Sequence, residues 1–103
     1  MSVDYNAALI YGYSCDPKDW PYEARDTMED LGWDVISDCY SNKFLFIGKV
    51  ISHASYFDEA EVDCLASIDQ VEIDIKHLYA KTPMSLVQHL PLYRSMYHIC
   101  YAT

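Results

Sequence analysis

Two short apolar runs constrain the fold of this chain more than any other feature. They are AALIYGY at positions 7–13 and FLFIGKVIS at positions 44–52, the second being the most apolar segment of the chain. The first run is followed by a polar turn, which is typical of a buried strand. Both runs are far shorter than the roughly 18 residues that a membrane span needs. The sequence therefore predicts two buried strands in a soluble protein.

An amphipathic helix is predicted between the two runs. Apolar residues recur there at spacings of four and three, at Ala24, Met28 and Leu31. Charged residues occupy the other side. Pro17 and Pro21 cannot both lie inside a regular helix, because each lacks a backbone N–H. Gly32 follows in the position where helices often end in the left-handed conformation. The predicted helix therefore runs from about 21 to 31.

The segment WDVISD at 33–38 is interpreted as an edge strand. Trp33 and Val35 alternate with Asp34, as expected for a strand with one buried and one wet face. A turn at 40–43 separates this segment from the second apolar run, so the two are predicted to form a hairpin.

A second long helix is predicted to begin near Ile68. Apolar residues follow helical spacing through this part of the chain, and Ser67 with Gln70 fits a capping box. The segment VEIDI at 71–75 also alternates with period two, so a strand is the alternative. The longer helical stripe and the cap favour the helix.

A short helix at 83–90 and a β-favouring run at 95–103 complete the chain. The predicted order is β-α-β-β-α-β with a hairpin in the middle. That order indicates a single α+β domain over residues 1–103, a split βαβ or ferredoxin-like sandwich. Its four-stranded antiparallel sheet has the two apolar runs at the centre and both helices on one face.

The charge balance restricts the partners of the protein. Asp and Glu number 16 against 7 Lys and Arg, which gives a net charge of −9. Nucleic acids are bound by cations that replace their counterions, so direct binding of DNA or RNA is disfavoured. A basic protein partner is compatible with this charge.

The four cysteines are interpreted as free thiols of a cytoplasmic protein. They show no C-x-x-C spacing, and the N-terminus MSVDYNAALIYGY carries no basic region or cleavage site typical of a secretion signal. We expect no disulfide framework.

The segments ALIYGY and DVISDCYSNKFLFIGKVIS, with the tyrosine-rich C-terminal strand, resemble a loose group of small, acidic, uncharacterised proteins of bacteriophages and prophages. The similarity covers most of the chain and consists of apolar patterns with a few tyrosines and glycines. The resemblance implies a phage or prophage origin, and the cytoplasm of a bacterial host as the location. It carries no catalytic residues.

The candidates for chemistry are few. Cys15 lies near a predicted helix start, but Asp16 and Asp19 favour its neutral thiol, and Asp16 before Pro17 is typical of a helix cap. Catalytic triads, phosphate loops and dinucleotide motifs are absent from the sequence. We therefore expect no enzyme and no cofactor.

The histidines form no zinc motif. They are His53, His77, His89 and His98. His98 and Cys100 are two residues apart on a predicted strand and are the one pair that a metal could use. Two ligands without a third favour a structural role, so no metal site is predicted.

The ten tyrosines suggest an aromatic surface. Alternation along three neighbouring strands predicts that one sheet face gathers the following side chains: Tyr11, Tyr13, Phe44, Phe46, Tyr97 and Tyr101. Ala8, Ile10, Leu45 and Ile47 are predicted to lie under the helices. An uncovered aromatic face marks an interface, and a homodimer is its commonest form. The alternative is that residues 83–93 fold back over this face.

Acidic side chains form the second candidate surface. They are Asp26, Glu29 and Asp30 in the first helix, Asp58, Glu59, Glu61 and Asp63 in the connection, and Asp69, Glu72 and Asp74 in the second helix. One interpretation is a solvated surface that keeps the protein soluble. The other is that the carboxylates imitate DNA phosphates and bind a basic nucleic-acid-binding host protein, as an inhibitor of host defence would.

The favoured hypothesis is a non-enzymatic protein that acts by binding another protein. The alternative is a small enzyme or metal-dependent factor that uses Cys15 or the pair His98 and Cys100.

Overall fold

The secondary structure follows the predicted order. The computed structural model describes residues 5–37, 43–55, 63–64 and 68–102. The elements are β1 (Tyr5–Cys15), α1 (Tyr22–Leu31), β2 (Asp34–Ser37), β3 (Leu45–Ser55), β4 (Asp63–Cys64), α2 (Ile68–Lys81), α3 (Met84–Val87) and β5 (Ser95–Ala102). The α+β class and the ferredoxin-like order are confirmed.

The differences from the prediction are local. β1 and β3 are each 11 residues long, and the two-residue β4 is an addition. The alternative strand at 71–75 is wrong, because α2 is one continuous helix through that segment. The predicted cap at Ser67 lies outside the described residues. Among the helices that the structure describes, none is long and apolar enough to cross a membrane.

The sheet is antiparallel, with β1 and β3 at its centre as predicted. The strand order is β2-β3-β1-β5, and β4 pairs with β3. β1 and β3 pair along almost their full length, with a register shift between Leu9 and Ile10. β5 pairs with the other side of β1 without a shift. The two runs that are most apolar in sequence thus occupy the positions with a neighbour on both sides.

One sheet face packs against the helices. Met28 of α1 and Val71 and Ile75 of α2 join Leu45 and Ile47 of β3 in one buried cluster. Full burial of an aliphatic side chain of this size stabilises the fold by about 1.5–3 kcal/mol. The periodic apolar side chains of both helices therefore pack against the same face of the sheet.

The opposite face, called the outer face here, has its own buried cluster. Its members are Ala8, Ile10, Ile36 and Ile99, with Phe44, Phe46, Val50 and Tyr97 packed against them. Ile10 has no exposed surface. This face is therefore covered around Ile10.

The predicted assignment of β1 to the two faces is wrong. Tyr11 and Tyr13 belong with the helix-side cluster, while Ala8 and Ile10 lie on the outer face. The reason is the register of β1 against β3, which places Tyr13 opposite Ile47. Paired residues of an antiparallel sheet point to the same side.

Two glycines allow the central strands to approach closely. Gly12 of β1 lies directly opposite Gly48 of β3. A Cβ atom on Gly12 would lie 2.4 Å from the carbonyl oxygen of Ile47, and one on Gly48 would lie 2.3 Å from that of Tyr11. Both contacts are with backbone, which cannot move aside as a side chain can. This pair is thus restricted to glycine.

A buried arginine fixes the chain before α1. Arg25 is only 5% exposed. Its Nε donates to the carbonyl oxygen of Trp20 at 2.8 Å, and one Nη donates to that of Pro17 at 3.2 Å. The guanidinium also lies 4.7 Å from the ring centroid of Tyr22, a cation–π distance. The one basic residue of α1 is therefore turned inward.

Candidate functional site

Cys15 lacks the surroundings of a reactive thiol. It is buried at the end of β1. Burial and the charge of Asp19 raise its pKa to about 12. A thiol must ionise to act as a nucleophile or metal ligand, so Cys15 is a neutral core residue at physiological pH. Asp16 caps a single 3-10 turn by accepting from the backbone N–H of Lys18 at 3.0 Å.

His98 and Cys100 are both exposed on β5. Opposite them on β1 lie Leu9 and Ala7. Within the described ranges, no three His, Cys, Asp or Glu side chains come close enough together to hold a metal ion. His89 instead lies edge-on to the indole of Trp20, with ring centroids 6.1 Å apart, and the side chain of His53 is outside the described residues.

The structure brings together three of the six predicted aromatic residues. Phe44 and Phe46 have ring centroids 5.7 Å apart, and Phe46 and Tyr97 are 4.9 Å apart. These three side chains are called the outer aromatic group below. They are partly buried and pack over the Ile10 cluster. The side chain of Tyr101 lies outside the described residues.

Tyr13 is part of the core on the helix side. It is 2% exposed and lies 6.3 Å from Trp33, ring centroid to ring centroid. Leu86 and Leu90, from the segment at 83–93, pack against the same helix-side cluster. That segment therefore packs on the helix-side face, which also holds Tyr11 and Tyr13. The outer aromatic group lies on the opposite face.

A polar network at the start of β5 was missed in the sequence. Arg94 donates to a carboxylate oxygen of Glu72 and, at 3.0 Å, to the hydroxyl of Tyr13. Burial by itself would raise the pKa of Glu72, but hydrogen bonds from Arg94 and Tyr11 and the charges of Arg94 and Lys76 outweigh it and lower the pKa. The charge of the Glu72 carboxylate is therefore compensated within the fold, although Glu72 was predicted as a contact for a basic partner.

The acidic residues of α1 are in a different situation. Asp26, Glu29 and Asp30 are all exposed. In the part of the chain that the structure describes, ion pairs engage Asp34 and Glu72 and none of these three. Their spacing of three and four residues places them along one side of the helix. Glu23, one turn earlier and also exposed, extends the row.

The other acidic candidates are less concentrated. Asp69 is exposed on α2, and Asp74 accepts from the amide of Gln70 at 3.1 Å. Lys76 and Lys81 also lie on α2, so its charge is mixed. Asp58, Glu59 and Glu61 lie outside the described residues, and for Asp63 only the backbone in β4 is described.

A groove of about 410 Å³ lies beside the edge strand β2 and adjoins the acidic row of α1. Its lining comprises Glu29, Trp33, Asp34, Val35, Ile36 and Val50. Asp34 accepts from the backbone N–H of Val50 at 2.8 Å and lies 3.8 Å from the ammonium of Lys49. The charge of Asp34 on one wall of the groove is therefore compensated by Lys49, and among the described residues Glu29 has no ion pair.

Comparison with known proteins finds no matching family model, no similar curated protein and no similar solved structure.

Proposed function

We propose that this protein is a non-enzymatic binding protein of phage or prophage type, and that the acidic row of α1 binds a basic nucleic-acid-binding protein of the bacterial host. The observation that supports this most is the imbalance of charge on α1. Asp26, Glu29 and Asp30 point outward without ion pairs within the described chain, while Arg25 is turned into the fold.

This arrangement costs helix stability. Like charges three and four residues apart destabilise a helix by about 0.2–0.5 kcal/mol per pair, and an exposed cation at position 25 would relieve that repulsion. Arg25 instead hydrogen-bonds to the turn before the helix. A row of uncompensated carboxylates presents the kind of charge that a phosphate-binding surface attracts.

The biological setting of the proposal comes from the resemblance to phage and prophage proteins. A small acidic phage protein that occupies the nucleic-acid-binding surface of a host protein would inhibit it. A host defence nuclease is one example of such a target. The proposed location is the bacterial cytoplasm, where these targets act.

Capture from bacterial lysate tests the proposal. The immobilised protein is expected to retain a basic nucleic-acid-binding protein at low salt and to release it as salt rises, because exposed charges are screened. The variant Asp26→Asn with Asp30→Asn should lose most of this capture. The matched variant Asp69→Asn with Asp74→Asn removes the same charge from α2 and should retain it.

Two results would contradict the proposal. One is that no basic protein elutes with salt. The other is that both double variants lose capture equally, which would show that net charge, rather than the acidic row of α1, attracts the partner. Added duplex DNA provides a further check, since it should compete with the immobilised protein for the captured partner.

A further inference from the structure

The two edges of the sheet are protected to very different extents. At the β2 edge the strand has only four residues. Beyond its end, the carboxylate of Asp34 accepts from the N–H of Val50, and β4 pairs with Ser52 and His53 of β3. The edge formed by β5 is eight residues long. In the described part of the chain it pairs with β1 on one side and with nothing on the other.

The sequence of β5 lacks the features by which proteins prevent an edge strand from pairing. SMYHICYA contains no proline and no charged residue, and its register with β1 shows no bulge. Natural edge strands are usually short, charged, bulged or covered. No described strand pairs with the outward N–H and C=O groups of β5, so another strand can bind to them.

The space next to β5 is also open on the helix side. His98 lies opposite Leu9, which packs against the helix-side cluster. His98 and Cys100 are nevertheless exposed, and α1 and α2 make their main contacts with β1, β2 and β3. The exposed side chains at these two positions therefore leave this part of the edge accessible to another strand.

We infer that β5 is the contact through which two copies of this chain associate, with their β5 strands antiparallel about a twofold axis. The absence of charge on β5 favours a second copy as the occupant. A chain of net charge −9 repels its copies wherever carboxylates are exposed, as on α1. Two copies of an uncharged strand meet without a like-charge pair in any register. The resulting sheet continues across both molecules, as in strand addition.

The symmetry limits the register. A twofold axis perpendicular to the sheet keeps each face continuous and pairs residues that point to the same side. With the axis at Ile99, His98 lies opposite Cys100 of the second copy. With the axis at His98, the two His98 residues are opposite each other and Met96 lies opposite Cys100 of the second copy. Strand pairing alone is a small contact, so we expect a weak dimer whose population rises with concentration.

Sedimentation velocity over about a hundredfold range of protein concentration tests the inference. The wild type should shift from monomer to dimer. The variant His98→Glu with Cys100→Glu places carboxylates opposite each other in both registers, and should raise the dissociation constant at least about tenfold. The control Met84→Glu with Ser85→Glu adds the same charge at exposed positions of α3, and should dimerise nearly as the wild type does.

Three results would overturn the inference. They are a monomer throughout the concentration range, a dimer unaffected by the β5 variant, and equal loss of the dimer in the β5 variant and the control. Because this contact is separate from the acidic row of α1, capture of a basic partner can succeed or fail independently.

Cross-linking provides a second measurement that does not depend on the charge variants. Under mild oxidation, His98→Cys should form a disulfide from position 98 to Cys100 of the second copy if the axis lies at Ile99. Met96→Cys should form one from position 96 if the axis lies at His98. Mass spectrometry of the linked peptides distinguishes the two. Absence of both links in a folded protein, as verified by circular dichroism, would overturn the β5 contact.

Discussion

The two faces of the sheet are buried by different means. On the helix side, Ile47 and Ile75 have no exposed surface because two helices lie over the sheet. On the outer face, Ile10 is equally buried, and the described residues over it are side chains of the sheet itself, among them Phe46 and Tyr97. Among the described residues, aromatic side chains on neighbouring strands thus cover one face, whereas helices cover the other.

Two truncations, Ile47→Ala and Ile10→Ala, test this comparison and should have the largest effects on stability. If the two faces are equally shielded from water, each variant should lower the free energy of unfolding by about 2–5 kcal/mol, since both truncate a fully buried aliphatic side chain. Urea denaturation of both proteins measures the values. A loss below about 1 kcal/mol for Ile10→Ala alone would show that water reaches the outer face.

The failed prediction for β1 shows what alternation leaves undetermined. Within one strand, the pattern correctly separates Tyr11 and Tyr13 from Ile10. It does not state which set meets the helices, because that depends on the register with β3. On the outer face β1 contributes Ala8 and Ile10, and Gly12 follows two residues later, opposite Gly48. Phe46 from β3 and Tyr97 from β5 lie on either side of this strand, and their rings contact each other across it.

Gly12→Ala tests the strand pair that both faces share. The added methyl would contact the backbone of β3 at 2.4 Å, so β1 and β3 must separate, and both clusters lose packing. We expect a loss of about 1–3 kcal/mol in the free energy of unfolding. Ser14→Ala, at an exposed position on the same strand, is the control and should change it by less than about 0.5 kcal/mol. A Gly12→Ala protein as stable as the wild type would contradict the close approach of the strands.

Glu72→Gln tests the polar network that distinguishes the helix side from the outer face. Because the pKa of Glu72 is lowered from its ordinary value of 4.5, its ionised form stabilises the fold. That stabilisation is present above pH 4.5 and is lost as pH falls through the lower pKa of the folded state. At pH 7 the variant should be less stable by about 1–2 kcal/mol.

The difference between Glu72→Gln and the wild type should shrink on acidification below pH 4.5, as measured by urea denaturation at several pH values. Glu29→Gln removes an exposed carboxylate without an ion pair in the described chain, and should change stability by less than about 0.5 kcal/mol. A pH-independent effect of Glu72→Gln would assign its role to shape rather than charge.

The candidate surfaces were predictable where they depend only on residues that are close in the sequence. The acidic row of α1 follows from helical spacing, since the apolar side of the helix must face the core and Asp26, Glu29 and Asp30 then face outward. The pairing of Glu72 with Arg94 was not predictable, because it joins α2 to the residue before β5, and only tertiary packing brings them together. The inward turn of Arg25 likewise depends on the fold of the preceding turn.

Thiol reactivity compares two positions on the helix side. Cys15 is buried there, whereas Cys100 is exposed on β5. A pKa of about 12 against the ordinary value of 9.0 lowers the thiolate fraction of Cys15 at neutral pH about a thousandfold. In the native protein, iodoacetamide should therefore modify Cys100 and leave Cys15 unmodified, and in urea it should modify both. Peptide mass spectrometry follows each site separately. Rapid alkylation of Cys15 in the native protein would show that the end of β1 opens to solvent. It would also support the hypothesis of a reactive cysteine.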